Sequence, residues 1–232
     1  MKDTMPHTNP AYDREMNKMS QLLSDMETAL HEQLTDLESA FADMDSERAR
    51  EIRQKDSRLN EMEGRALRQS IAVLACYQPV AEDLRTVVGS LYAAAEYERM
   101  GDYVKNFAQS IELFATHRET LKIFPMLLKM TRDVRAQFEE YIAARDRDDL
   151  SAAHKVWERD EEIDRAFRAT VNEAADNQSA GDGNAHSLIL AISIASNLER
   201  LGDRVKNLVE IFHYRKTGQR LEEENNHPPL LR

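Results

Sequence analysis

Glycine (7) and proline (6) are scarce in this 232-residue chain, so long stretches run without the two residues that most often interrupt a helix. There is one cysteine and one tryptophan. A single cysteine closes no intrachain disulfide, so nothing in the composition calls for an oxidising compartment. Cys76 lies in the apolar run IAVLACY and is expected to be a small core residue. The opening MKDTMPHTNP has no apolar signal-peptide core, and no apolar run approaches the roughly 20 residues that span a bilayer. A soluble, cytoplasmic protein without membrane insertion is expected. Basic residues are in deficit, 31 Lys and Arg against 42 Asp and Glu, for a formal charge of -11. That balance works against affinity for phosphate backbones, so nucleic acid is not an expected partner.

What remains is helix-forming: 41% hydrophobic and 31% charged residues suit slender bundles with wide solvated faces. Met16, Met19, Leu23, Met26, Leu30, Leu37 and Met44 fall three, four or seven apart and predict a first helix. Ser46 is the expected N-cap of a second, with Ile52, Leu59, Ala66, Val73 and Tyr77 buried up to the break at Pro79. A third, carrying Leu84, Val88, Leu91 and Ala95, continues to about residue 114. Pro125 opens a fourth, lined by Leu128, Thr131, Val134, Phe138 and Ile142. After the turn ARDRDDLS, a fifth carries Ala152, Val156, Ile163, Phe167 and Val171, and ends at DNQSAGDGN, read as a loop. The sixth covers His186 to Tyr214, before a tail with two prolines and clustered charge.

Residues 98–107 read ERMGDYVKNF and 199–208 read ERLGDRVKNL, identical at seven of ten positions with a constant offset, 199 − 98 = 101. Earlier in each half, QKDSRLNEME is echoed by ERDEEIDRAF, pairing Asp56 with Asp160 and Asn60 with Asp164, where 160 − 56 = 104. The expected fold is all-α, two tandem antiparallel three-helix bundles related by duplication: a flexible 1–15, bundles at 16–118 and 119–216, and a flexible tail at 217–232.

At about 100° per residue, Glu98, Asp102 and Asn106 share the side of the helix that carries Leu84, Val88, Leu91 and Ala95. Glu199, Asp203 and Asn207 continue the line of Ile189, Ile192 and Ala195 in the same way. Asp56 interrupts the line of Ile52 and Leu59 with Asn60 at its edge, and Asp160 and Asp164 repeat this beside Val156 and Ile163. An uncompensated interior does not hold so much negative charge. Two compensations are open. Oxygen-only ligands favour a hard or borderline cation such as Mg²⁺, Mn²⁺ or iron. Alternatively, Lys105 and Lys206, with Arg99 and Arg200 near the edge, make the acidic line an ion-pair network.

Other cues are slighter. Glu210 and His213 form the one Glu-x-x-His pair within the predicted helices, whereas a di-iron carboxylate enzyme needs two on facing helices. His31, His117, His154 and His186 are isolated in sequence and expected at the surface, and the GDG at 181–183 follows no strand and reads as a turn.

QPVAEDLR at 78–85, ERMGDYVKN, ERLGDRVKN and the closing EIFHYRKTG together resemble the PhoU family, over about residues 16–218. The resemblance implies two three-helix bundles, a homodimer, and metal ions (iron, manganese, magnesium or zinc) at the ExxxD surfaces. Carried over, the ligands are Glu98, Asp102 and Asn106 with Asp56 in the first bundle, and Glu199, Asp203 and Asn207 with Asp160 and Asp164 in the second. Asn60 stands where the family often has an acidic residue, which weakens one ligand of the first site and leaves equal occupancy unimplied. The resemblance further implies a non-catalytic negative regulator of phosphate uptake and starvation signalling, an adaptor to the ATP-binding subunit of the phosphate ABC transporter and to a phosphate-sensing histidine kinase. A plain helical scaffold or a metal-binding protein with no phosphate role is the alternative, and a di-iron enzyme the more distant one.

Overall fold

A computed structural model describes residues 10–55, 57–114, 123–179 and 185–221. Among these are seven helices: α1 (Pro10–Asp43), α2 (Ser46–Gln54), α3 (Ser57–Tyr77), α4 (Ala81–Phe114), α5 (Phe124–Asp146), α6 (Leu150–Ser179) and α7 (Ala185–Thr217). The first half packs α1, α2 and α3 against α4, and the second packs α5 and α6 against α7. The expected second helix is thus interrupted after Gln54. Lys55 closes α2 with a short bond from its N–H to Ile52 O, and Arg58 N–H bonds back to Lys55 O. Because Ile52, Leu59, Ala66 and Val73 are all buried, the inward line survives the break.

Three expected boundaries move. Helix α1 starts at Pro10, not Met16, because a proline fits the first turn and Tyr12 is buried with its ring 5.4 Å from that of Tyr77. Asp45, not Ser46, caps α2, its carboxylate accepting the N–H groups of Glu47 and Arg48 at 3.0 Å each. Helix α6 runs through Ser179, so part of the expected loop is helical, while 181–183 lie outside the described residues. The tail is also anchored further than expected, since Leu221 is buried in the main core.

The duplication reaches the turns. Met44 ends α1 at φ 52° and Asp148 follows α5 at φ 56°. In both places the next residue, Asp45 or Asp149, bonds five residues back, to Ala40 O at 2.8 Å and Ala144 O at 2.9 Å. Each of those aspartates then caps the following helix.

One continuous core runs through both halves. Helices α4 and α7 make its axis and pack on each other more extensively than any other pair. Phe41 bridges Phe107 at 5.0 Å and Phe124 at 4.8 Å, and Tyr97 meets Phe138 at 6.3 Å, so aromatic contacts cross from one half to the other.

This central position corrects the expected face of α4. Its buried line is Val87, Ala94, Tyr97, Met100, Val104, Phe107 and Ile111, while Leu84 is 40% exposed. On α7 the line is Ala191, Ile194, Leu198, Leu201, Val205 and Leu208, with Ile189 65% exposed. Both helices have apolar residues on several sides, so periodicity alone does not choose the inner one. Cys76 is likewise exposed rather than core, because it lies to the side of the Leu59, Met62, Ala66 and Val73 line by which α3 is buried.

Candidate metal centre

The carboxylates of α4 and α7 flank the core line instead of continuing it, and they do so alike in both halves. Glu98 and Glu199 are half-buried, as are Asp102 and Asp203. The glycine of each ERxGD segment sets the approach of the helix that faces it. A Cβ on Gly101 would lie 2.6 Å from Leu59 Cδ1 of α3, and one on Gly202 would lie 3.0 Å from both Ile163 Cδ1 and Asp160 Oδ1 of α6. Leu59 and Ile163 are equivalent residues of the repeat, 163 − 59 = 104. These glycines were visible in the repeated motif, but their packing role was not.

The second half concentrates the charge. Asp160 is only 3% exposed, and its Oδ1 is buried with no hydrogen-bond partner. Burial pushes its carboxyl above the usual range; Lys206 opposes the shift, and Asp203 and Asp164 add to it. Burial also raises Glu199, reinforced by Asp203 and Asp164. Asp203 is raised by burial against the pull of Arg204 and Lys206. Asp160, Asp164, Glu199 and Asp203 therefore share one field.

The first half is more open. Asp102 is 48% exposed, with Lys105 Nζ at 3.7 Å. Asn60 and Asn106 are exposed, which corrects their expected inward position: Asn106 lies on the solvent side of α4 and Asn60 on that of α3. Asp56 lies outside the described residues. Asn207 turns away from the acidic line, and its Nδ2 donates to Glu96 of α4 at 3.2 Å.

Glu96 was not singled out from the sequence. It is buried on α4 and accepts from Arg99 at 3.0 Å, Arg204 at 3.2 Å and Asn207, tying the edge of the acidic line to the other half. A charged residue on a helix looks like surface until its partners, here about 110 positions away, are known.

In donor type and charge the second-half residues fit a hard cation: all are oxygen ligands, and one buried carboxylate oxygen is unpartnered. As the side chains stand, no three His, Cys, Asp or Glu groups among the described residues converge tightly enough to hold an ion. Ion pairing is present too, with Lys206 Nζ 3.6 Å from Asp160 and 4.7 Å from the centre of the Trp157 ring.

The family model described as the PhoU domain matches the chain twice, at residues 23–111 and 127–212. The chain belongs to the PhoU family. Among similar proteins, the phosphate-specific transport system accessory protein PhoU homolog of Caulobacter vibrioides is 27% identical, covering 93% of this chain and 94% of its own. The homolog of Zymomonas mobilis is 28% identical over 97% and 94%. The PhoU protein of Escherichia coli K12 is 25% identical over 92% and 88%. The crystal structure of PhoU from Pseudomonas aeruginosa superposes with a TM-score of 0.86 at 24% identity, over 90% of this chain and all of that one. These PhoU likenesses establish the duplicated helical fold.

Proposed function

We propose that this chain restrains phosphate uptake and phosphate-starvation signalling as a non-catalytic, cytoplasmic, homodimeric adaptor. Its partners in this reading are the ATP-binding subunit of the phosphate transporter and the phosphate-sensing histidine kinase. The observation that carries it is the double PhoU-domain match, which spans both halves and both acidic lines. The names of the relatives, accessory proteins of phosphate-specific transport, point the same way. Among the described residues no helix is long and apolar enough to cross a membrane, so contact with membrane-bound partners is peripheral in this reading.

Metal belongs to the same proposal. Asp160, Asp164, Glu199 and Asp203 would hold a divalent or trivalent ion in the second half, with Glu98, Asp102 and Asp56 as the weaker set in the first. The ion would neutralise carboxylates that burial already disfavours in the charged state. The neutralised faces then keep one geometry for docking to basic surfaces of the partners.

Deletion of the gene, with phosphate uptake assayed in phosphate-rich medium, tests the regulatory role. Uptake that stays restrained overturns it. Metal analysis of untagged protein after chelation and re-addition tests the ion, and Asp160→Asn with Asp203→Asn should lose the second-half ion. The ion-pair scaffold is the second reading, favoured by Lys206 beside Asp160 and Lys105 beside Asp102. It predicts no stoichiometric metal.

A further inference from the structure

At the α6–α7 interface, beyond the acidic line, two histidines meet that the sequence left isolated. His154 Nε2 of α6 and His213 Nδ1 of α7 are 3.0 Å apart, with ring centroids at 5.1 Å and planes tilted by 37°. His213 is 2% exposed and His154 half-buried, so the pair is held by packing on one side and reached by solvent on the other. One turn along each helix, Trp157 donates its indole N–H to Glu210 at 2.9 Å. Glu210 and His213 are the Glu-x-x-His pair that the carboxylate site does not use.

We infer that His154 and His213 form a second metal site, selective for an imidazole-seeking late first-row ion of the Cu²⁺ or Ni²⁺ type and chemically distinct from the oxygen-ligand seam. The reason is geometric. Two metal–nitrogen bonds of about 2.0 Å to nitrogens 3.0 Å apart meet at an angle of about 95°. That is close to the cis angle, about 90°, of square-planar and octahedral ions, which take imidazole well. A tetrahedral ion needs the nitrogens opened to about 3.3 Å. Binding costs the hydrogen bond the rings now share, and the rings must turn so that both nitrogens point at the ion and not at each other. The proton of that bond moves to the other nitrogen of the donor ring, leaving two neutral imidazoles as ligands. No third His, Cys, Asp or Glu among the described residues is already in place, so water fills positions on the His154 side. The Glu210 carboxylate, one turn from His213, can swing in as an oxygen ligand.

The chain carries its own reporter, since Trp157 is the only tryptophan. The experiment is a Cu²⁺ titration of untagged full-length protein in non-coordinating buffer, read by Trp157 fluorescence and by electron paramagnetic resonance. The expected result is chelator-reversible quenching at one equivalent and nitrogen hyperfine structure from two imidazoles. His154→Gln should weaken binding at least tenfold and remove one nitrogen coupling, while His31→Gln, which alters a histidine of α1 that meets Glu139 of α5 instead, leaves both signals unchanged. His154 is half-exposed, so its variant keeps the fold, and unchanged helical circular dichroism checks this. Equal affinity in His154→Gln, or a copper spectrum without two coupled nitrogens, overturns the site and marks the ion as adventitious. Loss in His31→Gln as well as in His154→Gln also overturns it, because copper would then be spread over the histidines instead of held by this pair.

Discussion

Glu96 of α4 and Arg204 of α7 meet at 3.2 Å where the two halves join. The carboxylate is nearly enclosed, and Asn207 of α7 and Arg99 of α4 complete its set of donors. Removing one member of a buried pair strands the other charge, which is worse than removing both. Glu96→Ala should therefore cost about 3 kcal/mol in urea unfolding, and Glu96→Met with Arg204→Met less than the sum of the single changes. Additive single changes would mean that solvent already screens the pair.

The glycines of the two ERxGD segments make a sharper steric test. Leu59, against Gly101, is fully buried and cannot retreat. Gly101→Ala should destabilise by about 1–3 kcal/mol, the range for overpacking. Gly64, inside α3, has nothing nearer than 3.5 Å to an added Cβ. Gly64→Ala should stabilise by about 0.5–1 kcal/mol through helix propensity alone. Equal effects at the two positions would show that the close approach of α3 and α4 is not needed.

How much of this was legible beforehand depended on whether a feature is local. Duplication and the helical class follow from offsets and period, and the structure agrees. The inner face of α4 did not follow, because Leu84, Val88 and Leu91 form one apolar line and Tyr97, Met100 and Val104 another, and only packing on α7 chooses between them. Glu96 and His154 were missed for a similar reason. Their partners are 108 and 59 residues away, and no short motif carries such a pairing. Asp45 displaced Ser46 as cap because adjacent residues of equal capping ability leave a one-residue ambiguity.

The acidic seam should give the protein an unusual response to pH. Asp160, Glu199 and Asp203 are all raised above their ordinary values of 3.8, 4.5 and 3.8. A carboxyl raised on folding binds its proton more tightly in the folded chain than in the unfolded one. Its contribution is fully favourable below the ordinary value and is lost as pH climbs through the raised one. Chelated protein should thus be destabilised by its seam at neutral pH. Asp160→Asn should raise the thermal midpoint there, by an amount that shrinks as pH falls toward 4. A difference between wild type and variant that is flat with pH would show that Asp160 is not the group responsible.

Alkaline pH tests a different buried group. The Tyr97 hydroxyl donates to Glu27, which is buried and also paired with Arg145, so α1, α4 and α5 are joined by one polar contact inside the core. Burial holds the Tyr97 phenol well above its ordinary value of 10.0, raises Tyr141 too, and pushes Tyr12 up to about 12. A phenol raised on folding stabilises the fold below its ordinary value and loses that contribution as pH rises through the raised one. In an ultraviolet titration of the seven tyrosines, these three should ionise late, together with loss of helix. Tyr97→Phe removes one late phenol and leaves Glu27 short of a donor, at a cost of about 1–3 kcal/mol. If all seven tyrosines ionised near their ordinary value while the helices stayed intact, the Tyr97–Glu27 contact would have to be open to water.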